Sequence, residues 1–326
     1  MASIREVARL AHVAPSTVSR ALNGSGYVSE ESKAKIKQAV EELDYIPNQW
    51  IRNLYKKRTG IIGVMTPDII HPYFSTLWNY LEAELDQYGY NVVICNTREN
   101  KDKEREYLDT LERNLFDGLI VGSAFLPDEY YMKIEKPIIS LDRIIPGIPL
   151  VTSDHCQGGT LAAELFLEKG CKKVMCFSDP TRTEVSSSKS ARALREVMEN
   201  NGGEVIIETF RWEEVINYPL CMARVRTLLE QYSDVDGIMA LDLCASAFYK
   251  TQNNKKILAY DGTYVTDFNS HSIDSIVQDT KKLAKESVNM LIKLINNQPL
   301  KKREVLIPVK YKKGDTISLV GEIAKK

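Results

Sequence analysis

Apolar positions along the chain change period twice, and those changes divide it into three parts. Ile4, Val7, Ala8 and Ala11 recur at helical spacing, so residues 3–11 read as an amphipathic helix. A tight turn at His12–Ala14 precedes Pro15, whose missing N–H suits the first position of a new helix running to Leu22 and ended by Asn23-Gly24. Ser29 can cap a third helix, with Glu30 and Glu31 where the helix dipole favours them and Ile36, Val40 and Leu43 as its apolar line, ending at Tyr45-Ile46-Pro47. The stretch 47–59 is too short to hold a helix by itself, although Asn48 could start one.

From Gly60 onward short apolar runs alternate with helical patterns. GIIGVM, NVVIC, DGLIV, PIIS, KVMCF, EVIIE, GIMAL and KILAY read as strands, with helices over 73–88 and 102–113 among the intervening segments. Strand–helix alternation predicts parallel sheets covered on both faces. Roughly ten strands are more than one compact sheet usually holds, which favours two stacked lobes. The predicted organisation is a three-helix head over 1–46, a hinge over 47–59 and a body over 60–326. Within the body, lobe one takes about 60–155 and 280–305, and lobe two about 156–279 and 306–326.

Composition adds one fact to this pattern. The 43 basic and 44 acidic side chains nearly cancel, yet residues 1–58 hold ten Lys/Arg against six Asp/Glu, so the head is basic and the body acidic. The start MASIREVARLAH carries Arg5, Glu6 and Arg9 where a secretory leader needs an apolar core, and no window has the length of a membrane span. The six cysteines form no C-x-x-C pair and several lie in apolar runs, so they are expected to be reduced core residues of a cytoplasmic protein. No G-x-G-x-x-G after a strand, G-x-x-x-x-G-K-[ST], H-E-x-x-H or G-x-S-x-G occurs, the four histidines are scattered, and neither a cofactor nor a metal is expected. Ser186-Ser187-Ser188-Lys189 reads as a loop entering a helix rather than as a serine–lysine nucleophile.

Two short helices joined by a tight turn and closed by a third form a helix-turn-helix, whose second helix enters the DNA major groove. VARLAHVAPSTVSRALNGSGYVSEES followed by YIPN resembles the DNA-binding head of the lactose/galactose-repressor (LacI/GalR) family, with its D-V-A-x-x-A-G-V-S-x-x-T-V-S-R-x-L-N and Y-x-P-N signature. The resemblance implies DNA contacts by Ser3, Pro15, Ser16, Thr17, Ser19, Arg20, Asn23, Tyr27 and Ser29. It also implies a hinge helix in which Asn48, Arg52 and Leu54 match the family's N-x-x-A-R-x-L, with Leu54 as a minor-groove wedge. Departures are Glu6 for Asp, His12 for a left-handed Gly, Ala14 for an N-capping Ser at a cost of about 1 kcal/mol, and Ile51 for Ala. Pro15 and Ser16 leave few donors for base readout, so shape is expected to carry part of the specificity.

The body resembles the periplasmic sugar-binding fold that this family uses as a sensor, whose ligands sit outside the carboxyl ends of strands. By that resemblance the effector site comprises His71, Tyr73 and Phe74 after the first strand, Asp142 and Arg143 in L-D-R, Lys189, Asp242, Asp261 in Y-D-G, and Gln278. A carboxylate beside a guanidinium can bridge vicinal hydroxyls, and aromatic rings pack on sugar C–H faces. Ser153-Asp154 with Gly158-Gly159 matches a crossover and helix start. Lys189 replaces an Arg and Leu241 an Asn, and the connection from Asp242 to Asp261 is shorter than the family's.

The resemblance implies a dimeric, sequence-specific repressor of a carbohydrate-utilisation operon. Its partners would be pseudo-palindromic double-stranded DNA, a second copy of the chain, and a sugar or sugar phosphate between the lobes, with no membrane. GYNVVICNT, DKEREYLDTLE, SLDR and YDGT look most similar to the sucrose- and ribose-operon repressors. A purine-like corepressor, or a sugar-binding protein without a regulatory role, are the alternatives. No heptad tail follows the last strand, so no tetramer is expected.

Overall fold

The computed structural model describes residues 2–23, 26–45, 58–122, 125–178, 186–251 and 254–317, without the side chain of Asn23. Asn48, Arg52 and Leu54 lie outside the described residues. The chain divides into two compact units, Met1–Gly60 and Ile61–Lys326.

The first unit holds α1 (Ile4–Leu10), α2 (Pro15–Asn23) and α3 (Glu30–Glu42). Ser3 and Glu6 form a reciprocal cap on α1, the Ser3 Oγ accepting from the Glu6 N–H at 3.3 Å and the Glu6 carboxylate accepting from the Ser3 N–H at 2.7 Å. His12 takes the left-handed conformation (φ 52°) that turns the chain between α1 and α2. Ala14 has no side chain to cap α2, and only its carbonyl meets the helix, at 2.9 Å from the Thr17 nitrogen. Ser29 caps α3 by accepting from the Ser32 N–H. Val7, Ala8, Ala11, Val18, Ile36, Ala39 and Tyr45 interlock as the core.

The second unit contains two six-stranded sheets. The strands are β1 (Ile61–Thr66), β2 (Asn91–Asn96), β3 (Gly118–Val121), β4 (Ile138–Leu141), β5 (Leu150–Ser153), β6 (Lys173–Phe177), β7 (Glu204–Glu208), β8 (Gly237–Leu241), β9 (Lys256–Asp261), β10 (Asp274–Val277), β11 (Glu304–Ile307) and β12 (Lys310–Lys312). The first sheet runs β11-β5-β4-β3-β1-β2 and the second β12-β10-β9-β8-β6-β7, all parallel except the β10–β12 pair. Helices α4 (Pro72–Asp86), α5 (Lys101–Glu112), α6 (Asp128–Met132) and α12 (Thr280–Ile295) accompany the first sheet. Helices α7 (His155–Glu168), α8 (Ser188–Asn200), α9 (Trp212–Ile216), α10 (Tyr218–Gln231) and α11 (Asp242–Lys250) cover the second. Each sheet is thus buried on both faces, which explains its near-continuous Val, Ile and Leu runs.

The chain passes between the lobes three times: after β5, after β10, and between β11 and β12. The passages are tied together. The Asp154 N–H donates to the Ile307 carbonyl at 2.8 Å, the Ser153 hydroxyl to Gln278 Oε1 at 2.7 Å, and the Val309 N–H to Gln157 Oε1 at 3.0 Å. Asp154 caps α7 through the Gln157 N–H. Gly159 lets α7 meet α8, since a Cβ there would stand 2.0 Å from the Ser190 carbonyl oxygen. Strands β5, β11 and β12 were not read from the sequence as separate elements, being three or four residues long with little periodicity. The first lobe's last strand runs to Ile307, two residues past the expected boundary.

Candidate nucleic-acid interface and ligand cleft

In the head, α2 turns Val18 fully inward and rests Ala21 and Leu22 on the core. The opposite face presents Pro15, Ser16 and Arg20 to solvent, with Thr17 and Ser19 half-buried beside them. The backbone at Gly26 (φ 77°) approaches Arg20, a Cβ there falling 3.7 Å from the Arg20 Cδ. Tyr27 follows Gly26 in the chain and is 90 % exposed. Ser3 and Ser29 are both engaged as helix caps, which places their hydroxyls at the starts of α1 and α3 where backbone N–H groups gather. Such an exposed face, with one guanidinium, hydroxyls and helix N-termini, can hold phosphates and offer Arg20 to a base edge.

In the body, a cavity of about 220 Å³ opens at the carboxyl ends of the second sheet's strands. Phe177 ends β6, Leu241 ends β8, and Tyr260 and Asp261 end β9. The first turn of α8 adds the Ser188 and Ser190 positions, Ser187 lies just before it, and Gln278 follows β10. Phe210 and Trp212 close one side. Trp212 also reaches the first lobe, its ring 5.1 Å from His71 and 5.9 Å from Phe74. Two buried donor-capable atoms there, Trp212 Nε1 and His71 Nε2, have no hydrogen-bond partner among the described residues. A ligand hydroxyl would supply what they lack.

Electrostatics concentrate where the lobes meet. Asp142 (φ 62°) accepts from His155 Nε2 at 2.6 Å and from the Thr152 hydroxyl at 2.8 Å, while the Ser187 N–H approaches at 3.3 Å. Burial alone would raise its carboxyl, but the His155 charge and these hydrogen bonds outweigh it and leave it below the ordinary value. His155 Nδ1 meets the Tyr260 hydroxyl at 2.8 Å, so Asp142, His155 and Tyr260 form a chain from the first sheet to the second. Asp261 (φ 111°) accepts from Gln278 Nε2 at 2.7 Å. Burial first, and the nearby Asp242 charge second, hold Asp261 well above the usual carboxylate range. Burial likewise lowers His71 to about 4, so it is neutral at physiological pH.

The structure brings His71, Phe74, Asp142, Asp261 and Gln278 to the cleft, and Tyr73 lies close enough that the Asp142 and Asp261 charges raise its hydroxyl beyond the effect of burial. Three expected residues stand elsewhere. Arg143 does not pair with Asp142: its guanidinium donates to Asp128 at 2.6 Å and to the Leu126 carbonyl at 2.9 Å, and lies over the Tyr131 ring. The left-handed turn at Asp142 sends the two neighbouring side chains apart. Asp242 turns from the cavity to accept the Gly262 N–H at 3.1 Å and the Thr263 N–H and hydroxyl at 2.6 and 2.5 Å, so it holds the loop that presents Asp261. Lys189 sits half-buried on α8 without lining the cavity. Phe177, Phe210, Trp212 and Cys244 line it and were missed. Phe210 and Trp212 follow directly on the strand EVIIE, which was the available signal.

Among the described residues no helix is long and apolar enough to cross a membrane, and no cluster of three or more His, Cys, Asp or Glu could hold a metal ion. Residues 3–48 match the description "Bacterial regulatory proteins, lacI family". Residues 59–207 match "Periplasmic binding proteins and sugar binding domain of LacI family", and 163–317 a periplasmic binding protein-like domain. The chain is 34% identical to the sucrose operon repressor of Streptococcus mutans, over 97% of this chain and all of that one. It is also 34% identical to the ribose operon repressor of Halalkalibacterium halodurans, over 95% of each. The fold is that of the lac repressor dimer bound to operator and the anti-inducer ONPF, with a TM-score of 0.83 at 23% identity over 97% of this chain and 99% of that one. These relatives are transcriptional repressors and not enzymes. Matched from its head through both lobes, the chain belongs to the lacI family of bacterial regulatory proteins.

Proposed function

We propose that the protein represses a carbohydrate-utilisation operon and that a sugar or sugar phosphate seated between its lobes changes its grip on DNA. One observation carries the second half: a cavity at strand carboxyl ends, walled by aromatic rings, containing the Asp261–Gln278 pair, and bordered by buried Trp212 and His71 nitrogens that lack partners. Rings suit the C–H faces of a sugar, and convergent acceptors and donors suit its hydroxyls. Relatives named as sucrose and ribose operon repressors support the same class of ligand.

Two copies would place two heads on a pseudo-palindromic operator, with Ser3, Pro15, Ser16, Thr17, Ser19, Arg20, Asn23, Tyr27 and Ser29 toward the duplex and Asn48, Arg52 and Leu54 between half-sites. A ligand that binds the closed lobes more tightly than the open ones shifts their balance, and only such differential affinity can switch operator binding. The test is thermal shift of the full chain against sucrose, D-fructose, D-ribose, their phosphates and purine bases, because a ligand of the native form alone raises Tm. Each hit is then added to a mobility-shift assay on operator-length duplexes. A purine that raises Tm and strengthens DNA binding, with every sugar inert, would replace the sugar reading with a corepressor.

A further inference from the structure

The cavity wall contains a feature that sugar recognition does not use. Cys244, in the first turn of α11, lines the cavity, and its sulfur lies 3.8 Å from that of Cys221 in the first turn of α10. Both thiols are buried, 2 % and 1 % exposed, among Val215, Ala240 and Phe248. Cys95, Cys171 and Cys176 are also buried, and Cys156 is exposed. Of the six, Cys221 and Cys244 have their sulfurs in contact, and Cys244 also lines the cavity.

We propose that Cys221 and Cys244 form a site of reversible covalent modification, closing to a disulfide when a small peroxide enters the cavity. The Cys244 sulfur attacks one peroxide oxygen, the O–O bond breaks, and the departing hydroxide takes the thiol proton and leaves as water. Cys221 then attacks the sulfenic sulfur of Cys244, forming the S–S bond and displacing the hydroxyl, which leaves with the Cys221 proton as a second water. Two thiols and one peroxide give one disulfide and two waters. A disulfide holds its sulfurs at about 2.05 Å, so closure draws the Cys244 side chain away from the cavity wall. Helix α11 begins at Asp242, whose carboxylate positions the loop after Asp261, so the movement is delivered to the part of the cavity that carries the carboxylate. The chemistry does not depend on what fills the cavity. Its effect on ligand response rests on the function proposed above and is measured separately.

The hydrogen bond between the two thiols lowers Cys221, while the same bond, then burial, raises Cys244 well above its ordinary value, so the Cys244 thiolate forms only in alkaline solution. The thiolate is the reacting species, so the rate should climb with pH. The experiment uses the full-length Cys156→Ser variant, treated with hydrogen peroxide at mildly alkaline pH, alkylated and digested. Alkylatable thiols should fall from five to three per chain. One peptide pair should be linked through Cys221 and Cys244, with the loss of two hydrogens, and dithiothreitol should restore it. Cys221→Ala in the same background should stop Cys244 at a sulfenic acid trapped by dimedone. The proposal is overturned if both cysteines of the native variant remain alkylatable after peroxide has consumed Cys156 in the unsubstituted protein. It is equally overturned if the link appears only after unfolding in urea, or joins other cysteines instead. If the linked pair forms while no sugar tested binds either form, the function proposed above fails and the thiol site stands.

Discussion

Trp212 is the residue whose removal tests the link between the cleft and lobe movement. It belongs to the second lobe by sequence and helix, yet its ring packs on His71 and Phe74 of the first. An aromatic pair contributes about 0.5–1.5 kcal/mol beyond its buried area, so two pairs favour the closed lobes by about 1–3 kcal/mol. That is roughly a 5- to 150-fold change in the open–closed balance. Trp212→Ala should therefore populate the open body in the absence of ligand. Small-angle scattering should show a larger radius of gyration, and amide exchange at the three interlobe passages should quicken. Trp212→Phe keeps a ring at the same place and should recover most of the closed form, which separates loss of the contact from loss of fold. An Ala variant with unchanged scattering and exchange would refute the idea that this cluster sets closure. Equal opening in the Phe variant would refute the aromatic origin of the effect.

Arg20→Ala removes the one guanidinium on the exposed face of α2, and a bidentate base contact is worth about 1–3 kcal/mol, so operator affinity should fall about 5- to 150-fold; gel shifts at fixed salt that show no change would remove Arg20 from the interface. Asp261→Asn leaves Gln278 facing an amide in place of a carboxylate and should weaken the sugar found by thermal shift at least about tenfold while ligand-free operator binding persists; full induction in the variant would mean the pocket lies elsewhere. Burial raises Asp242 to about 6, above its ordinary value, so its contribution to stability is present in acid and is lost as pH climbs from about 4 to about 6. The loss is of the order of 3 kcal/mol from a shift of about two pH units; Asp261, also raised, adds a fall of the same sign, so urea titrations of Asp242→Asn should show a shallower slope over this range, and an identical slope in both proteins would assign it to another group.

Period and caps made the head readable: the Ile4, Val7, Ala8 and Ala11 spacing marks the first helix, Pro15 and Ser29 mark the starts of the next two, and the His12 turn is left-handed as the motif demands. The parallel α/β body was readable because strands covered on both faces are unbroken apolar runs. Strands β5, β11 and β12 were not, because three or four residues show no period and depend on neighbours distant in sequence, such as Arg303, whose carbonyl accepts the Leu150 N–H. Motif position put Asp142, Asp261 and Gln278 at or just past strand ends, as the structure has them, but gave no direction for their neighbours. Arg143 follows a left-handed residue and turns to Asp128, a choice set by φ at Asp142 and by a partner on another loop. Asp242 shows the same limit, since three donors on the Gly262–Thr263 backbone and side chain claim its carboxylate. Trp212 was passed over because a ring after a strand reads as core until the opposite lobe is in place.

The arrangement of polar groups explains how a small ligand could move large lobes. The Asp142–His155–Tyr260 chain and the Ser153–Gln278–Asp261 chain both run across the passages between the sheets. Each begins on the first lobe and ends at residues that line the cavity, Tyr260 in one case and Asp261 in the other. A hydroxyl bound by Asp261 competes with Gln278 for the same carboxylate, and Gln278 is held in turn by Ser153 on β5. Binding at the second sheet would therefore be felt by the first through two hydrogen bonds, without any change in either apolar core. Close-packed cores resist gradual deformation, so under the proposed function the lobes would respond as rigid bodies and the passages would take up the rotation.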